Sequence, residues 1–397
     1  MFQLQERLAP LRARSGIDEL SFHLAVFLGQ PQFIDAALRL FSAGRLPAPA
    51  RKRFLFAGLD PDELAHVLRA IRSLAEWPDV WAVEARRQEL RARTAELVGT
   101  PLSLARATEH WRAASLAYTF AGAAGGSAIA TASELEEARL AAFRRAAPGL
   151  SPPAEAVTLP WATLPLPGWL RLPVGRAGPV PLVVLFNGAG IVKEEMTLWS
   201  EAFLAEGLAT LAFDGPGCGE LRGRLATSRD QEDITAAILD WAVAHPALDG
   251  ARVALLGGSF GGAQVIHHAA SNPRVAACVS VTPPYHPPPY IERLHPFVMA
   301  EIVSLCGEVD GAAIVARSAE LSCIPIVREV RCPTLVIGAG LDAILPPTEA
   351  RRLYDALRCQ KTFLYLRRAT HIGLSHLDVW TPVAAAWLAA RLAAPTA

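Results

Sequence analysis

The chain has no excess of charge of either sign, because 38 lysines and arginines balance 38 aspartates and glutamates. A strongly basic balance is typical of proteins that bind nucleic acid or anionic lipid, so neither is an expected partner. No apolar run approaches the roughly 18 residues that are needed to span a bilayer, and Met1–Arg7 lacks the apolar core of a signal peptide. We therefore expect a cytoplasmic protein without a membrane segment.

Paired cysteines are also missing. The six cysteines are scattered and none belongs to a Cys-x-x-Cys pair, as their positions show: Cys218, Cys278, Cys306, Cys323, Cys332 and Cys359. A zinc site or a disulfide framework would need closer or more regular spacing. We expect reduced thiols, no metal and no cofactor.

The first 150 of the 397 residues have the pattern of helices alone. Asp60-Pro61-Asp62-Glu63-Leu64 combines a capping aspartate, a proline in the first turn and acidic residues near the positive helix end. Trp81–Leu97 and Leu102–Phe120 repeat apolar residues at three- and four-residue spacing, and Thr131 starts a further helix. Two further helical segments are predicted earlier in the chain, one starting at Asp18 and one over Pro31–Leu40. The pattern predicts an all-helical domain over residues 1–150.

Prolines and glycines between residues 148 and 153 mark a boundary, after which strands and helices alternate. This predicts an α/β domain over residues 151–397, built on a mostly parallel, doubly wound sheet. The predicted strands include Val180–Phe186, Ala209–Phe213, Val253–Leu256, Thr334–Ile337 and Thr362–Leu366, and the predicted helices include Glu194–Glu206 and Gln231–Ala244. The proline-rich stretch after Thr282 interrupts the alternation and predicts a helical lid over about 283–326.

The most informative motif is Gly257-Gly258-Ser259-Phe260-Gly261-Gly262, between an apolar run and a helix start. A Gly-x-Ser-x-Gly string in that context is typical of a nucleophile elbow, which lifts a serine hydroxyl clear of the sheet. Glycine is needed there because the turn is too crowded for a Cβ. The motif predicts that Ser259 attacks a carbonyl carbon.

A serine nucleophile needs a base, and the base needs an acid that orients it. Asp342 and His371 each follow a predicted strand, and they come after the serine in the order typical of this architecture. Asp240 and Asp249 are poorer acids, because one lies in a helix and the other precedes a strand. The competing histidines are His376 and the pair His267 and His268, which we interpret as packed or surface residues.

The oxyanion of an acyl-transfer intermediate needs backbone N–H donors. One should come from Phe260, directly after the nucleophile. The second should come from Asn187-Gly188-Ala189-Gly190-Ile191, and Ala189 or Gly190 is the expected donor. The same small residues would also suit an ordinary tight loop between a strand and a helix.

Three strings together resemble a known family: the loop Asn187–Ile191 continuing into Lys193-Glu194-Glu195, the string Phe213–Glu220, and the serine turn. They resemble α/β-hydrolases of the 2,6-dihydroxypseudooxynicotine hydrolase type. This group includes fungal pigment-pathway polyketide-shortening hydrolases and fermentation–respiration switch proteins. The resemblance covers roughly residues 150–395, and the helical leader matches only in layout.

The resemblance implies an α/β-hydrolase fold with a cap formed by the N-terminal helical domain and the insertion, commonly in a homodimer. It supports Ser259, Asp342 and His371 as a catalytic triad. It also implies cleavage of an ester, or of a carbon–carbon bond next to a ketone. Cys218 departs from the family pattern, where a larger polar residue is common, and we interpret it as packing. Lys193 and Glu194 are interpreted as structural.

An aromatic or polyketide-like small molecule is the expected substrate. Tyr285, His286 and Tyr290 in the insertion, with Trp111 and Tyr118 on an N-terminal helix, are the expected lining residues, although aromatic stripes more often belong to a core. Two alternatives remain. The same acyl-enzyme could serve acyl transfer or cyclisation, and the fold could belong to a non-catalytic binding or regulatory protein.

Overall fold

A computed structural model describes residues 59–122, 131–161, 164–228, 231–294, 296–307 and 311–393, and a few single positions between 35 and 55. The predicted helix start at Asp18 lies outside the described residues, as does most of Pro31–Leu40. The chain divides into two compact units. The first comprises residues 1–150 with 295–297, and the second comprises 151–294 with 298–397.

The described elements of the first unit are helical. They are α1 (Pro61–Ala70), α2 (Trp77–Val98), α3 (Pro101–Gly122) and α4 (Ala132–Ala146). The Asp60 carboxylate accepts from the N–H groups of Asp62 and Glu63 at 2.9 and 3.2 Å. Thr131 and Glu134 form a capping box at the start of α4. The predicted helix starts at Asp60 and Thr131 are therefore confirmed.

Aromatic side chains form part of the core of this unit. Trp81 packs between Phe54 and Phe120, with both ring centroids 5.1 Å from its own. The Trp77 indole donates to the carbonyl of Phe120 at 2.9 Å, which ties the start of α2 to the end of α3. Aromatic pairs at these separations stabilise a core beyond the area that they bury.

The second unit contains one eight-stranded sheet in the order β1-β2-β4-β3-β5-β6-β7-β8. The strands are β1 (Ala154–Leu159), β2 (Leu166–Arg171), β3 (Val180–Phe186), β4 (Ala209–Phe213), β5 (Leu248–Gly258), β6 (Ala277–Val281), β7 (Thr334–Ala339) and β8 (Lys361–Leu366). Pairing is antiparallel at β1–β2 and β2–β4 and parallel everywhere else. The predicted mostly parallel sheet is confirmed.

Strand β3 shows why the sheet needs cover on both faces. Leu182, Val184 and Phe186 pack into the main apolar cluster with side chains of the neighbouring helices. Val183 and Leu185 alternate with them and are also fully buried. A strand without a polar face is typical of parallel sheets that lie between two layers of helices.

The helices of this unit are α5 (Lys193–Met196), α6 (Ser200–Ala205), α7 (Asp233–Ala244), α8 (Phe260–Ser271), α9 (Pro296–Cys306), α10 (Gly311–Glu320), α11 (Glu349–Ala356) and α12 (Leu377–Arg391). The predicted helix Glu194–Glu206 is interrupted by a 3₁₀ turn at Thr197–Trp199. The Thr197 hydroxyl donates to the Glu194 carbonyl at 2.7 Å, a side-chain bond that competes with regular helix geometry.

The insertion after Thr282 is also less continuous than predicted. It contains a 3₁₀ turn at Ile291–Arg293 and the two helices α9 and α10. Gly307 follows α9 with a φ of 68°, a left-handed conformation in which glycine commonly ends a helix. The parallel strands meanwhile bring the loops after β3, β5, β6, β7 and β8 to one edge of the sheet.

Candidate active site

Ser259 stands between β5 and α8 in a strained backbone conformation, with φ 56° and ψ −123°. Its N–H donates to the carbonyl of Val281 at 2.9 Å. A Cβ on Gly257 would lie 2.2 Å from the Gly261 carbonyl oxygen, and one on Gly261 would lie 2.4 Å from that of Phe186. The flanking glycines are therefore required by the close approach of backbone, and the strain is retained at a place where function commonly uses it.

Asp342 and His371 form a buried pair at the ends of β7 and β8. The distance from His371 Nδ1 to Asp342 Oδ2 is 2.7 Å. The other carboxylate oxygen accepts from the N–H groups of Ile344 and Leu345, both at 2.9 Å. A carboxylate only accepts, so the imidazole presents its proton at Nδ1 and leaves Nε2 able to accept another.

The residue after this histidine connects it to the serine turn. Ile372 has a φ of 57°, and its N–H donates to Thr282 Oγ1 at 3.1 Å. A Cβ on Gly258 would lie 2.6 Å from Ile372 Cγ2, so the histidine loop packs directly on the serine turn. Among the residues that the structure describes, Ser259, Thr282 and Ile372 are the non-glycine residues with positive φ.

The loop after β3 lies beside the serine. A Cβ on Gly188 would lie 3.1 Å from the Gly258 carbonyl oxygen and 3.6 Å from Ser259 Cβ. Gly190 has a φ of 72°, and Ala189 lines the same cavity as Ser259 and Phe260. Phe260 begins α8, where a helix leaves its first N–H groups without an intrahelical acceptor.

A buried ionic network lies next to this loop. Lys193 Nζ is 2.9 Å from both Asp214 Oδ2 and Glu194 Oε1, and 2.5 Å from Glu220 Oε1. Lys193, Asp214 and Glu194 are at most 2% exposed. The lysine thus links side chains from three segments of the chain, in line with the structural role that the sequence suggested for Lys193 and Glu194.

Backbone groups extend the same network into the loop. Asp214 Oδ1 accepts from the Lys193 N–H at 2.9 Å. The Asn187 side-chain amide donates to the carbonyl of Ile191 at 3.1 Å and accepts from the N–H of Gly215 at 3.1 Å. The loop from Asn187 to Ile191 is therefore held at both ends.

A cavity with an empty volume of about 1000 Å³, part of it open to solvent, extends from Ser259. The serine, Ala189 and Phe260 lie on its wall. Much of the wall is apolar and comes from the insertion, with Ile291, Leu294, Val298, Ile302, Leu305 and Ile314. Fewer polar residues contribute, among them Thr227, Glu232, Gln264, His267 and His268. A mainly apolar pocket with few polar groups is typical of small-molecule sites.

The three predicted insertion residues occupy different places. Tyr290 lines the cavity, and its hydroxyl donates to Glu349 Oε2 at 3.1 Å. His286 and Tyr285 are not among the residues that line this cavity. The His286 ring bonds to Ser322 Oγ at 2.9 Å, and the backbone N–H of His286 donates to Glu349 Oε2 at 2.7 Å. Tyr285 packs in the core. The buried Glu349 therefore anchors the start of the insertion.

Trp111 and Tyr118 are both engaged within the first unit. The Trp111 indole donates to Glu96 at 2.7 Å, and its ring lies 4.7 Å from the Arg145 guanidinium carbon. The Tyr118 hydroxyl donates to Glu89 at 3.1 Å, and burial together with that carboxylate raises the pKa of Tyr118 to about 12. Their predicted contact with substrate stays a prediction.

Cys218 packs against Phe260 and Leu305 in a small buried cluster. Burial, with Asp214 adding to the effect, raises the pKa of the Cys218 thiol. A thiol with a raised pKa remains protonated, in line with the packing role suggested by the sequence.

Several residues of this site were not predicted from the sequence. His267 and His268, which the sequence suggests are packed or surface residues, are buried and also line the cavity. The spacing of Phe260, Gln264 and His268 at every fourth residue was a usable signal, because such residues share a helix face. Thr282 carried no signal, since its partner Ile372 is 90 residues away.

The described ranges contain no helix that is both long and apolar enough to cross a bilayer. They also contain no group of three or more histidine, cysteine, aspartate or glutamate residues arranged to hold a metal ion.

Comparison with known proteins agrees with this architecture. A family model described as the alpha/beta hydrolase family matches residues 183–386. The 2,6-dihydropseudooxynicotine hydrolase of Paenarthrobacter nicotinovorans is 38% identical over 138 residues, covering 35% of this chain and 37% of that protein. Hydrolyase ccsE of Aspergillus clavatus is 30% identical over 250 residues, covering 56% and 57%. The matches span about a third to just over half of these relatives' length.

Solved structures show the same fold. The 2,6-dihydroxy-pseudo-oxynicotine hydrolase superimposes with a TM-score of 0.75 and 24% identity, covering 87% of this chain and 98% of that one. AbyA5 superimposes with a TM-score of 0.66 and 20% identity, covering 84% and 95%. The resemblance predicted from the three sequence strings is confirmed by these matches.

Proposed function

The chain belongs to the alpha/beta hydrolase family, and we propose that it uses Ser259 to cleave an ester, or a carbon–carbon bond next to a ketone, in an apolar small molecule. The observation that carries this proposal is the buried pair of Asp342 and His371, 2.7 Å apart, on the loops next to the strained serine turn. A serine, a carboxylate and a histidine that follow the parallel strands β5, β7 and β8 of one sheet are the groups that an acyl-enzyme mechanism needs.

In this mechanism His371 Nε2 takes the proton of the Ser259 hydroxyl as Oγ forms a bond to the substrate carbonyl carbon. The carbonyl electrons move to oxygen, and the N–H groups of Phe260 and of Ala189 or Gly190 stabilise that oxyanion. The bond to the leaving group then breaks, and the histidine delivers its proton to the departing alkoxide or enolate. Water, deprotonated by the same histidine, hydrolyses the acyl-enzyme.

Asp342 holds the histidine in the tautomer that this sequence of steps requires. Its second oxygen is occupied by the N–H groups of Ile344 and Leu345, so the carboxylate is fixed in orientation as well as in position. A fixed carboxylate stabilises the imidazolium that forms in each proton transfer.

The apolar wall of the cavity supports an aromatic or polyketide-like substrate, and the names of the matched relatives support a hydrolytic reaction. A carbon–carbon bond becomes cleavable by this machinery when the leaving carbon departs as a stabilised enolate, which β-diketones provide. We therefore expect β-diketones with apolar substituents to be cleaved faster than simple acetyl esters. Faster turnover of the acetyl esters would contradict this substrate class.

Covalent labelling with a fluorophosphonate tests the nucleophile. The expected result is one adduct on Ser259 in the parent protein and none in Ser259→Ala. Ser271→Ala is a matched control, because Ser271 ends α8 and bonds only to the His268 carbonyl. No adduct on the folded parent protein would contradict the proposal and favour a binding or regulatory role. Product analysis with an added alcohol distinguishes hydrolysis from acyl transfer.

We further propose a cytoplasmic homodimer. The family resemblance supports the dimer, as do exposed apolar side chains in the first unit at Leu90, Leu97, Val98 and Leu102. Analytical ultracentrifugation at several protein concentrations tests it. A monomer at all concentrations would contradict it.

A further inference from the structure

One face of α8 forms a continuous strip of the cavity wall, beginning at the serine turn. Phe260, Gln264 and His268 follow one another at four-residue intervals, so they share a helix face, and all three line the cavity. At about 1.5 Å of rise per residue, Gln264 lies about 7.5 Å beyond Ser259 along the helix and His268 about 13.5 Å beyond it. A ligand that extends from the serine along α8 would pass both side chains.

Three hydrogen-bonding side chains on this cavity wall have no partner among the residues that the structure describes. They are the hydroxyl of Thr227, the amide of Gln264 and the Nδ1 atom of His268. Thr227 is 1% exposed and His268 is 4% exposed, whereas Gln264 is only half-buried. An unpaired buried polar group is costly, so the Thr227 hydroxyl and the His268 Nδ1 atom on one cavity wall require an explanation.

His268 lies near the backbone of Glu232, which acts to raise the pKa of the ring, but burial has the larger effect and lowers it. Burial, with the neighbouring His267 adding to it, lowers the pKa of His268 to about 3. The ring is therefore neutral near pH 7, with one donating and one accepting nitrogen, and Nδ1 can form a hydrogen bond with a hydroxyl group in either tautomer, because a hydroxyl both donates and accepts.

The Thr227 hydroxyl and the Gln264 amide can each pair with a donor or with an acceptor. A threonine hydroxyl can donate or accept, and a glutamine amide can do both. Around them the wall is apolar, formed by side chains such as Ile291, Ile302, Leu305 and Leu321. The combination suits a ligand that is mostly apolar and carries a few separated hydroxyl groups.

We propose that Thr227, Gln264 and His268 form a recognition subsite for hydroxyl groups on an elongated apolar substrate whose carbonyl is held at Ser259. The proposal rests on the proposed function, and it specifies which substrates that function accepts. The near hydroxyl is bound by Gln264, and the far hydroxyl forms a hydrogen bond with His268 Nδ1. Thr227 completes the hydrogen bonding of one of them.

Alkyl trifluoromethyl ketones are suitable probes, because only the alkyl chain needs the cavity. Ser259 Oγ adds reversibly to the ketone carbon while the serine proton moves to the ketone oxygen, which gives a hemiketal. A series of these ketones carries one hydroxyl group at successive carbons of the alkyl chain. The series shows at which distances from Ser259 the cavity wall binds a hydroxyl group. Calorimetry measures binding of each compound, and protection of Ser259 from fluorophosphonate shows where it binds.

The expected profile has two affinity maxima, one for each distance along α8, each about tenfold tighter than the compound without a hydroxyl. Gln264→Met keeps the length of the side chain and should remove the near maximum alone. His268→Gln keeps a polar side chain of similar length without an atom at Nδ1, and should remove the far maximum alone.

Thr227→Val and Thr235→Val form a matched pair. Both threonines are 1% exposed, and within the described part of the chain neither hydroxyl has a partner, but of the two only Thr227 lines the cavity. Thr227→Val should weaken one maximum, and Thr235→Val should leave both unchanged. A flat calorimetric profile in the parent protein would overturn the subsite even if fluorophosphonate still labels Ser259. Two maxima without labelling would support the subsite and reject the acyl-enzyme.

Discussion

Thr282 Oγ1 accepts a 3.1 Å hydrogen bond from the N–H of Ile372, the residue that follows His371. Both residues have positive φ, at 43° and 57°, which is costly for β-branched side chains. The Thr282 N–H donates in turn to the carbonyl of Ile337 at 2.7 Å, at the end of β7. Thr282 therefore joins the end of β6 to the segments that carry Asp342 and His371.

Replacing Thr282 with valine removes this acceptor at nearly constant volume and leaves the Ile372 N–H buried without a partner. We expect fluorophosphonate labelling of Ser259 to slow about tenfold, because the histidine loop loses its fixed position. Thr282→Ser retains Oγ and should restore the rate. A purely structural role would instead lower the unfolding midpoint of Thr282→Val without changing its labelling rate below that midpoint.

Gly261→Ala should destabilise the second unit by about 1–3 kcal/mol, since a Cβ there would lie 2.4 Å from the Phe186 carbonyl oxygen and force the backbone to move. Gly215→Ala is the control, because its Cβ would meet only Phe213 at an ordinary 3.6 Å. Urea unfolding measures both free energies. Equal stability of the two variants would contradict the crowding of the serine turn.

Lys193→Met should lower the free energy of unfolding by about 3–5 kcal/mol, because it leaves the buried carboxylates of Asp214 and Glu194 without their cation. Arg274→Met removes a comparable 2.6 Å contact to Asp240, but both partners are well exposed, so the loss there should stay below about 1 kcal/mol. Urea titrations measure the free energy of unfolding of both variants. Similar losses of stability in the two variants would contradict the prediction.

The pKa of His268, lowered by burial from its ordinary 6.5 to about 3, makes stability depend on pH. Below pH 6.5 His268 binds a proton in the unfolded chain, but in the folded chain it stays neutral down to about pH 3. The contribution of His268 to the free energy of unfolding is therefore fully present above pH 6.5. It is lost as the pH falls towards 3, by up to about 1.4 kcal/mol per pH unit.

His268→Gln has no group that titrates in this window, so its free energy of unfolding should fall less steeply than that of the parent protein. Unfolding by urea at a series of pH values between 7 and 4 measures both slopes. Parallel curves for the two proteins would show that His268 has an ordinary pKa in the folded state.

Local patterns predicted much of the architecture. The alternation of apolar β-branched runs and helix patterns indicated the parallel sheet, and Asp60 and Thr131 marked helix starts, because such signals depend on residues a few positions apart. Glu194–Glu206 shows the limit. Its apolar spacing suits one helix, but the Thr197 hydroxyl bonds to the Glu194 carbonyl and a 3₁₀ turn divides it.

The sequence by itself determined the family, the parallel sheet and the positions of Ser259, Asp342 and His371 at strand ends, because each depends on a short motif or on chain order. Only the tertiary structure decided how these positions are held: the pairing of Asp342 with His371 over 29 residues, the bond from Ile372 to Thr282 over 90, and the strip of α8 that faces the cavity. Contacts between distant segments depend on how strands order and loops pack, and no local pattern contains that information.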